Sequence, residues 1–211
     1  MIKAVIFDID GVLLDSLEAN YQYYLHLFKR FNNHFVPKQE YNDNYEGMPM
    51  KVMLSRVMGF TGSKLEEEFE LAKRETPHFQ ELYKVPRGEQ KVIKELSRKY
   101  KLALVTSRYG VESTFSTIGL KECFSVVIKF GDYQKPKPDP EPLFVAIGKL
   151  QIKPEEAVYI GDRESDLLAA KAAGMKFVGF PLYSGKKLEG SDAIFMNFSE
   201  LPGVIENLSK N

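Results

Sequence analysis

The sequence predicts an α/β protein, a doubly wound parallel sheet that carries an all-helical insertion directly after its first strand. Three observations predict it. The chain begins with a short run rich in Val, Ile and Phe, Ala4 to Phe7, of the kind that lies buried on both faces of a sheet. From Pro86 onward, similar apolar runs alternate with segments of helical period, which implies βαβ units. Between Leu17 and about Tyr83 no strand pattern occurs at all.

The elements follow in order. Leu17, Tyr21, Tyr24, Leu25, Phe28 and Phe31 recur at helical spacing behind Ser16, a suitable N-cap. Asn32-Asn33-His34 closes that helix, and Pro37 opens a stretch expected to be irregular as far as Tyr45. Gly47-Met48-Pro49-Met50 reads as a turn into a helix with Val52, Met53, Arg56 and Val57, broken at Gly59 to Ser63. A further helix spans about Lys64 to Arg74, with Glu66-Glu67-Glu68 on its solvated face. The aromatic stripe at 21, 24, 28 and 31 is expected to be core. His26, His34 and His78 all fall in this region, where packing accounts for them.

In the second part, Val92, Ile93 and Leu96 mark a helix, and Leu102 to Val105 a strand ending in Thr106-Ser107. Val111 to Ile118 reads as a helix and Val126 to Phe130 as a strand. Asp139 to Leu150 is a helix, and Ala157 to Ile160 a strand ending in Gly161-Asp162. Leu167 to Ala173 is a helix stopped by Gly174, and Met175 to Phe180 a strand. Ala193 to Met196 and a helix from Ser199 close the chain. The expected domains are a discontinuous core of 1–14 and 84–211 and an insertion of 15–83.

Composition narrows the function. Among 211 residues, Lys plus Arg and Asp plus Glu number 29 each, so no net charge draws the protein to nucleic acid or an anionic membrane. Cys123 is the sole cysteine, which excludes an intrachain disulfide and fits a reducing compartment. No apolar run nears the ~20 residues of a membrane span. A cytoplasmic protein without membrane or nucleic-acid partners is expected.

The chemistry gathers at strand ends. Asp8 and Asp10 follow the first strand at i, i+2, and Gly11 lets the chain turn sharply and approach a ligand. Two acids at the end of a buried strand are costly unless a cation or ligand accounts for them. Thr106 and Ser107 should emerge on the same edge, as should Asp162 and Asp166, spaced i, i+4. Lys135 opens the proline-stiffened run Lys135 to Pro140. At ~4 Å and an effective dielectric of ~20, each pair of like charges costs about 4 kcal/mol, more than one lysine offsets. Oxygen-only donors without histidine point to Mg²⁺ rather than zinc.

Taken together, these residues resemble the haloacid dehalogenase superfamily of aspartate-nucleophile phosphotransferases, over the whole chain. Asp8 to Ser16 matches its Asp-x-Asp-Gly-[Val/Thr]-Leu-x-Asp-Ser motif, and Thr106 its strand-end hydroxyl. Lys135 to Pro140 matches Lys-Pro-x-Pro-[Asp/Glu]-Pro, which makes Lys135 rather than Lys137 the family's lysine. Gly161 to Gly174 matches Gly-Asp-x-x-x-Asp with its Ala-rich helix. The insertion resembles the small helical cap of the phosphoglycolate phosphatase and β-phosphoglucomutase-like branch, on a Rossmann-like core.

The resemblance implies roles. Asp8 is the expected nucleophile, giving an aspartyl-phosphate that water cleaves, and Asp10 the acid and base. Asp8, the Asp10 carbonyl and Asp162 would hold Mg²⁺, with Asp166 behind them. Thr106, Lys135 and backbone N–H groups near Gly11 and Ser107 would stabilise the phosphoryl oxygens. Gly47 and Arg56 fall where related caps choose substrates. The reading is a Mg²⁺-dependent phosphatase, monomer or homodimer, acting on a small phosphate ester such as phosphoglycolate or a sugar phosphate. A β-phosphoglucomutase-like mutase, a pyrophosphatase and a phosphate-binding module on the same scaffold are the alternatives. The roles of Arg108 and Asp132 are not assigned by the motifs.

Overall fold

A computed structural model describes residues 1–32, 35–75, 79–185 and 187–210; His34 and His78 therefore lie outside the described residues. The chain divides into two compact units, Met1–Asp15 with Lys84–Asn211, and Ser16–Tyr83. The first boundary falls one residue beyond the expected Leu14.

The first unit is built on six strands: β1 (Ala4–Phe7), β2 (Lys101–Val105), β3 (Val126–Ile128), β4 (Ala157–Gly161), β5 (Lys176–Gly179) and β6 (Ala193–Ile194). All pair in parallel in the order β3-β2-β1-β4-β5-β6. β1 is central and all four of its residues are fully buried, as an uninterrupted apolar run requires. Chain order reverses between β1 and β4, so the connections leaving these two strands diverge and open a crevice at their carboxyl ends. Register decides what lies there. Phe7 stands beside both Leu104 and Ile160, which carries Asp8, Thr106 and Asp162 to one edge.

Helices α5 (Glu89–Leu96), α6 (Glu112–Ile118), α7 (Glu141–Leu150), α8 (Glu164–Ala172) and α9 (Leu201–Lys210) complete this unit. α7 buries Leu143, Ala146, Ile147 and Leu150, and α8 buries Leu167, Ala169 and Ala170 against the same side of the sheet. Gly174, at φ +72°, ends α8 in the left-handed conformation that glycine adopts without a Cβ clash.

The second unit holds α1 (Leu17–Asn32), α2 (Lys38–Asn44), α3 (Met50–Arg56), α4 (Gly62–Glu75) and a 3₁₀ turn, Gln80–Leu82. No strand occurs among its described residues. Tyr21, Tyr24 and Phe28 are buried, and Tyr41 sits with its ring 5.4 Å from those of both Tyr21 and Tyr24. The stripe is core. α2 corrects the irregular stretch expected there: among seven residues only Tyr41 is buried, so no apolar period could announce the helix.

The insertion leaves and rejoins the core at one point. Asp15 N–H donates to the Lys84 carbonyl at 2.8 Å, and Lys84 N–H to the Asp15 carbonyl at 3.1 Å, as an antiparallel bridge.

Candidate active site

Three side chains of the site, those of Asp8, Thr106 and Asp162, stand directly after buried strands. Asp8 directly follows β1, with its backbone N–H still bonded to the Ile160 carbonyl of β4 at 2.9 Å. Its side chain turns to take the Ile9 N–H on Oδ1 at 2.8 Å. The next residues form a tight turn, in which Val12, Leu13 and Leu14 all donate to the Ile9 carbonyl. Ile9, Val12, Leu13 and Leu14 are fully buried, so an apolar underside anchors the loop that carries Asp10.

Of the backbone N–H groups near Gly11 expected to meet a ligand, that of Gly11 itself is engaged within the loop. That N–H donates to the Leu14 carbonyl at 2.8 Å. The residue matters through what it lacks: at φ +77°, a Cβ on Gly11 would lie 2.1 Å from Asp162 Oδ2. Only glycine lets the first loop and the Asp162 carboxylate share this space.

Asp162 follows β4, and its carbonyl accepts the Ser184 hydroxyl at 3.0 Å. Asp166 lies in the first turn of α8. Because the helix begins at Glu164 and Arg163 before it is extended, Asp162 stands outside the helix, and the expected shared helix face is not what brings the two acids together. Asp166 Oδ2 reaches back to the N–H of Arg163, the residue before the helix, at 3.2 Å, the reciprocal half of a capping box. Its Oδ1 accepts both Lys137 Nζ at 2.6 Å and the Tyr159 hydroxyl at 3.1 Å. Asp166 is thus oriented by three donors from three elements.

The lysine assignment is corrected by the geometry. Lys137, not Lys135, enters the cluster, with Nζ 3.1 Å from Asp8 Oδ2 and a side chain only 5% exposed. The Lys135 side chain is 74% exposed, its Nζ 4.0 Å from Asp139. Its backbone shows why: the N–H groups of Gln134 and Lys135 both donate to the Glu141 carboxylate at the start of α7, which draws this part of the loop away from the sheet edge. A cue existed in the sequence. Lys137-Pro138-Asp139-Pro140-Glu141-Pro142 satisfies the same motif as Lys135 to Pro140, in a second register that ends where α7 begins.

Two further cations were missed. Arg108 forms a fork on Asp10, Nε to Oδ2 at 2.9 Å and Nη2 to Oδ1 at 2.7 Å. Arg163 places Nε 3.4 Å from Asp162 Oδ1. The charge excess inferred from four carboxylates and one lysine is therefore smaller than expected. Asp132, the other residue left unassigned, accepts the Lys129 N–H at 3.0 Å in a surface turn.

Thr106 is fully buried; its Oγ1 accepts the Arg108 N–H at 3.2 Å and its carbonyl the Tyr133 hydroxyl at 3.1 Å. Ser107 beside it is half-buried. Gly47, in the turn between α2 and α3 at φ +77°, and Arg56, exposed at the end of α3, belong to the helical unit. Lys51 of α3 pairs with Glu66 of α4 at 2.5 Å.

Burial dominates the electrostatics. Desolvation raises Asp8 to about 6; Lys137 opposes this, while Asp166 and Asp10 add to it. Burial alone would lower Lys137, but the attraction of Asp166, Asp8 and Tyr159 outweighs it and holds the ammonium well above its ordinary value. Tyr133, also by burial, is pushed up to about 12 and stays a neutral donor.

Asp8, Asp162 and Asp166 each offer an oxygen within 4.8 Å of the others, all three residues buried. The set contains no nitrogen or sulfur donor, and Gly11 leaves room beside Asp162, so the residues fit a small, hard divalent cation.

Comparison with known proteins agrees with this arrangement. Residues 5–180 match the family described as haloacid dehalogenase-like hydrolase. Pyrophosphatase PpaX of Bacillus cereus (strain B4264) is 30% identical, the alignment covering 100% of this chain and 99% of the relative. Validoxylamine A 7'-phosphate phosphatase of Streptomyces hygroscopicus subsp. limoneus is 29% identical over 95% of this chain and 96% of its own. Among solved structures, β-phosphoglucomutase from Clostridium difficile superposes with a TM-score of 0.85 over 100% of this chain and 98% of that one; at 19% identity it speaks for the fold alone. With the family match running from β1 through β5, and with full-length relatives beside it, this chain belongs to the haloacid dehalogenase-like hydrolases.

Proposed function

We propose that the protein is a Mg²⁺-dependent phosphatase that hydrolyses a small, anionic phosphate ester, phosphoglycolate or a sugar phosphate, through a phosphorylated Asp8. The observation that carries this reading is Lys137 spanning Asp8 and Asp166 inside a buried carboxylate cluster at the crevice of the sheet. Any buried carboxylate needs a partner; what favours a nucleophile is that this paired carboxylate stands at the strand end where an α/β sheet meets its ligand, beside further acids able to hold a cation.

In this reading an Asp8 oxygen attacks phosphorus in line, and the bond to the leaving oxygen breaks with its electron pair going to that oxygen. Asp10 enters this step protonated, the proton carried on a lone pair that the Arg108 fork leaves open, and supplies that proton to the leaving oxygen. Water then attacks the phosphorus, the bond to Asp8 breaks, and Asp10 takes a proton from the water, which restores both carboxyls and releases phosphate. Lys137 holds the Asp8 carboxylate toward the crevice. Thr106, fixed by Arg108 and Tyr133, presents its hydroxyl to an equatorial oxygen, with Ser107 beside it. Asp8 and Asp162, with the Asp10 carbonyl, would hold Mg²⁺, which supplies positive charge between nucleophile and phosphate. Asp166 keeps Lys137 in place. Gly47 and Arg56 of the helical unit would bear on substrate choice.

A second reading, cleavage of inorganic pyrophosphate, is favoured by the pyrophosphatase named among the full-length relatives. The test is direct. Phosphate esters and pyrophosphate are screened for released phosphate with Mg²⁺ and in excess chelator, and acid-quenched enzyme is probed for a phosphoryl group on Asp8. Asp8→Asn should remove both turnover and label; a variant that keeps substantial activity would sink the nucleophile assignment.

A further inference from the structure

We infer that Arg108 is the positioning residue of Asp10, fixing the direction in which that carboxyl meets the leaving oxygen. The inference rests on the proposed role of Asp10 as acid. Three observations carry it.

First, the contact is a fork. Nε and Nη2 of one guanidinium meet the two oxygens of one carboxylate at 2.9 and 2.7 Å, which fixes the plane of the carboxyl as well as its distance. A lysine or a single hydrogen bond leaves that plane able to rotate. Both side chains are about 15% exposed, enough burial for the pair to hold its geometry against solvent.

Second, the arginine is itself held. Its N–H donates to Thr106 Oγ1 at 3.2 Å, its carbonyl accepts the Phe130 N–H at 2.9 Å, and Nη1 lies 3.4 Å from Oγ1 of the buried Thr114 on α6. Asp10 sits on the loop after β1, whereas Arg108 is tied to the end of β2. The fork therefore locks the acid of one strand end to the hydroxyl of the next.

Third, the cations are divided among the acids. Lys137 serves Asp8 and Asp166, Arg163 lies beside Asp162, and Arg108 pairs with Asp10. The fork on Asp10 is thus a contact separate from those that Lys137 and Arg163 make with Asp8, Asp166 and Asp162.

A positioning role and a merely structural one differ in how activity depends on the leaving group. An alkyl oxygen needs a proton as it departs, whereas 4-nitrophenolate does not. The experiment measures kcat/KM, which reports transfer to Asp8, for aryl and alkyl phosphates of graded leaving-group acidity, using wild type, Asp10→Asn, Arg108→Lys and Arg108→Ala. Asp10→Asn should steepen the dependence. Arg108→Lys, which keeps the charge and loses the fork, should steepen it too, its loss on alkyl esters exceeding that on 4-nitrophenyl phosphate by about tenfold or more. Combining Arg108→Lys with Asp10→Asn should cost little beyond Asp10→Asn alone. A loss equal across all esters, or none, would overturn the positioning role, and Arg108→Lys answers this even if Arg108→Ala fails to fold. If Asp10→Asn itself leaves the dependence unchanged, the fault lies in the acid role of Asp10 and in the reading built on it.

Discussion

Lys137 Nζ stands 3.1 Å from Asp8 Oδ2, on the end of a loop whose neighbouring lysine, two residues earlier, points into solvent. One cation thus faces the proposed nucleophile while an equally charged neighbour is spent on the surface. Lys137→Ala should lower kcat by about 10²-fold or more, because it removes the partner of a buried carboxylate. Lys135→Ala should leave kcat within about twofold, since surface substitutions away from such features have small effects. Steady-state rates of the two variants on one ester, with circular dichroism to confirm folding, decide between the two registers of the motif.

Metal dependence is the expectation that the carboxylate set raises. Asp162→Ala removes one of the three oxygens that lie within 4.8 Å of one another. The expected result is a steep rise in the Mg²⁺ concentration needed for half-maximal rate, or loss of activity with folding retained. Chelator should abolish wild-type turnover, and added Mg²⁺ should restore it. Equal rates with and without chelator would show that the cluster works by protein charges alone.

Gly11→Ala tests the contact between the first loop and Asp162. A Cβ 2.1 Å from Asp162 Oδ2, on a backbone at φ +77°, forces the carboxylate or the turn to move. Backbone strain of this kind costs about 1–3 kcal/mol. The variant should melt lower than wild type and also require more Mg²⁺, two effects that a remote destabilising substitution would not combine.

Glu89 gives the protein a pH-dependent stability. It opens α5 fully buried, neither carboxyl oxygen has a hydrogen-bond partner among the described residues, and burial raises it from 4.5 to about 8. The folded state keeps this proton between pH 4.5 and about 8 while the unfolded chain releases it, so stability falls as pH rises through that window. Glu89→Gln, which cannot ionise, should flatten the fall and raise Tm most at pH 8. Parallel Tm–pH curves for the two proteins would remove Glu89 as the cause.

The sheet was legible because strands buried on both faces must be short, uninterrupted apolar runs, and the runs ending in Asp8, Thr106 and Asp162 stand out against their polar flanks. Their convergence followed from parallel register. What escaped was of a different kind. α2 buries a single tyrosine, so its helix is supported by tertiary packing and leaves no period to read. The choice between Lys135 and Lys137 hung on which backbone N–H groups Glu141 would capture, a contact across a loop with no local trace. Arg108 lay only two residues beyond Thr106, yet its partner is 98 positions away, and charge pairs at that range carry no spacing rule.

The paired crossing at Asp15 and Lys84 makes the helical unit, from the core's standpoint, a single surface loop closed by two hydrogen bonds. Loop-closure entropy grows only with the logarithm of length, each doubling adding about 0.6 kcal/mol. The core therefore bears almost the same thermodynamic burden whether that junction carries a short turn or several helices. As far as loop-closure entropy decides, insertions of very different size should be exchangeable at this junction without redesigning the sheet that positions Asp8.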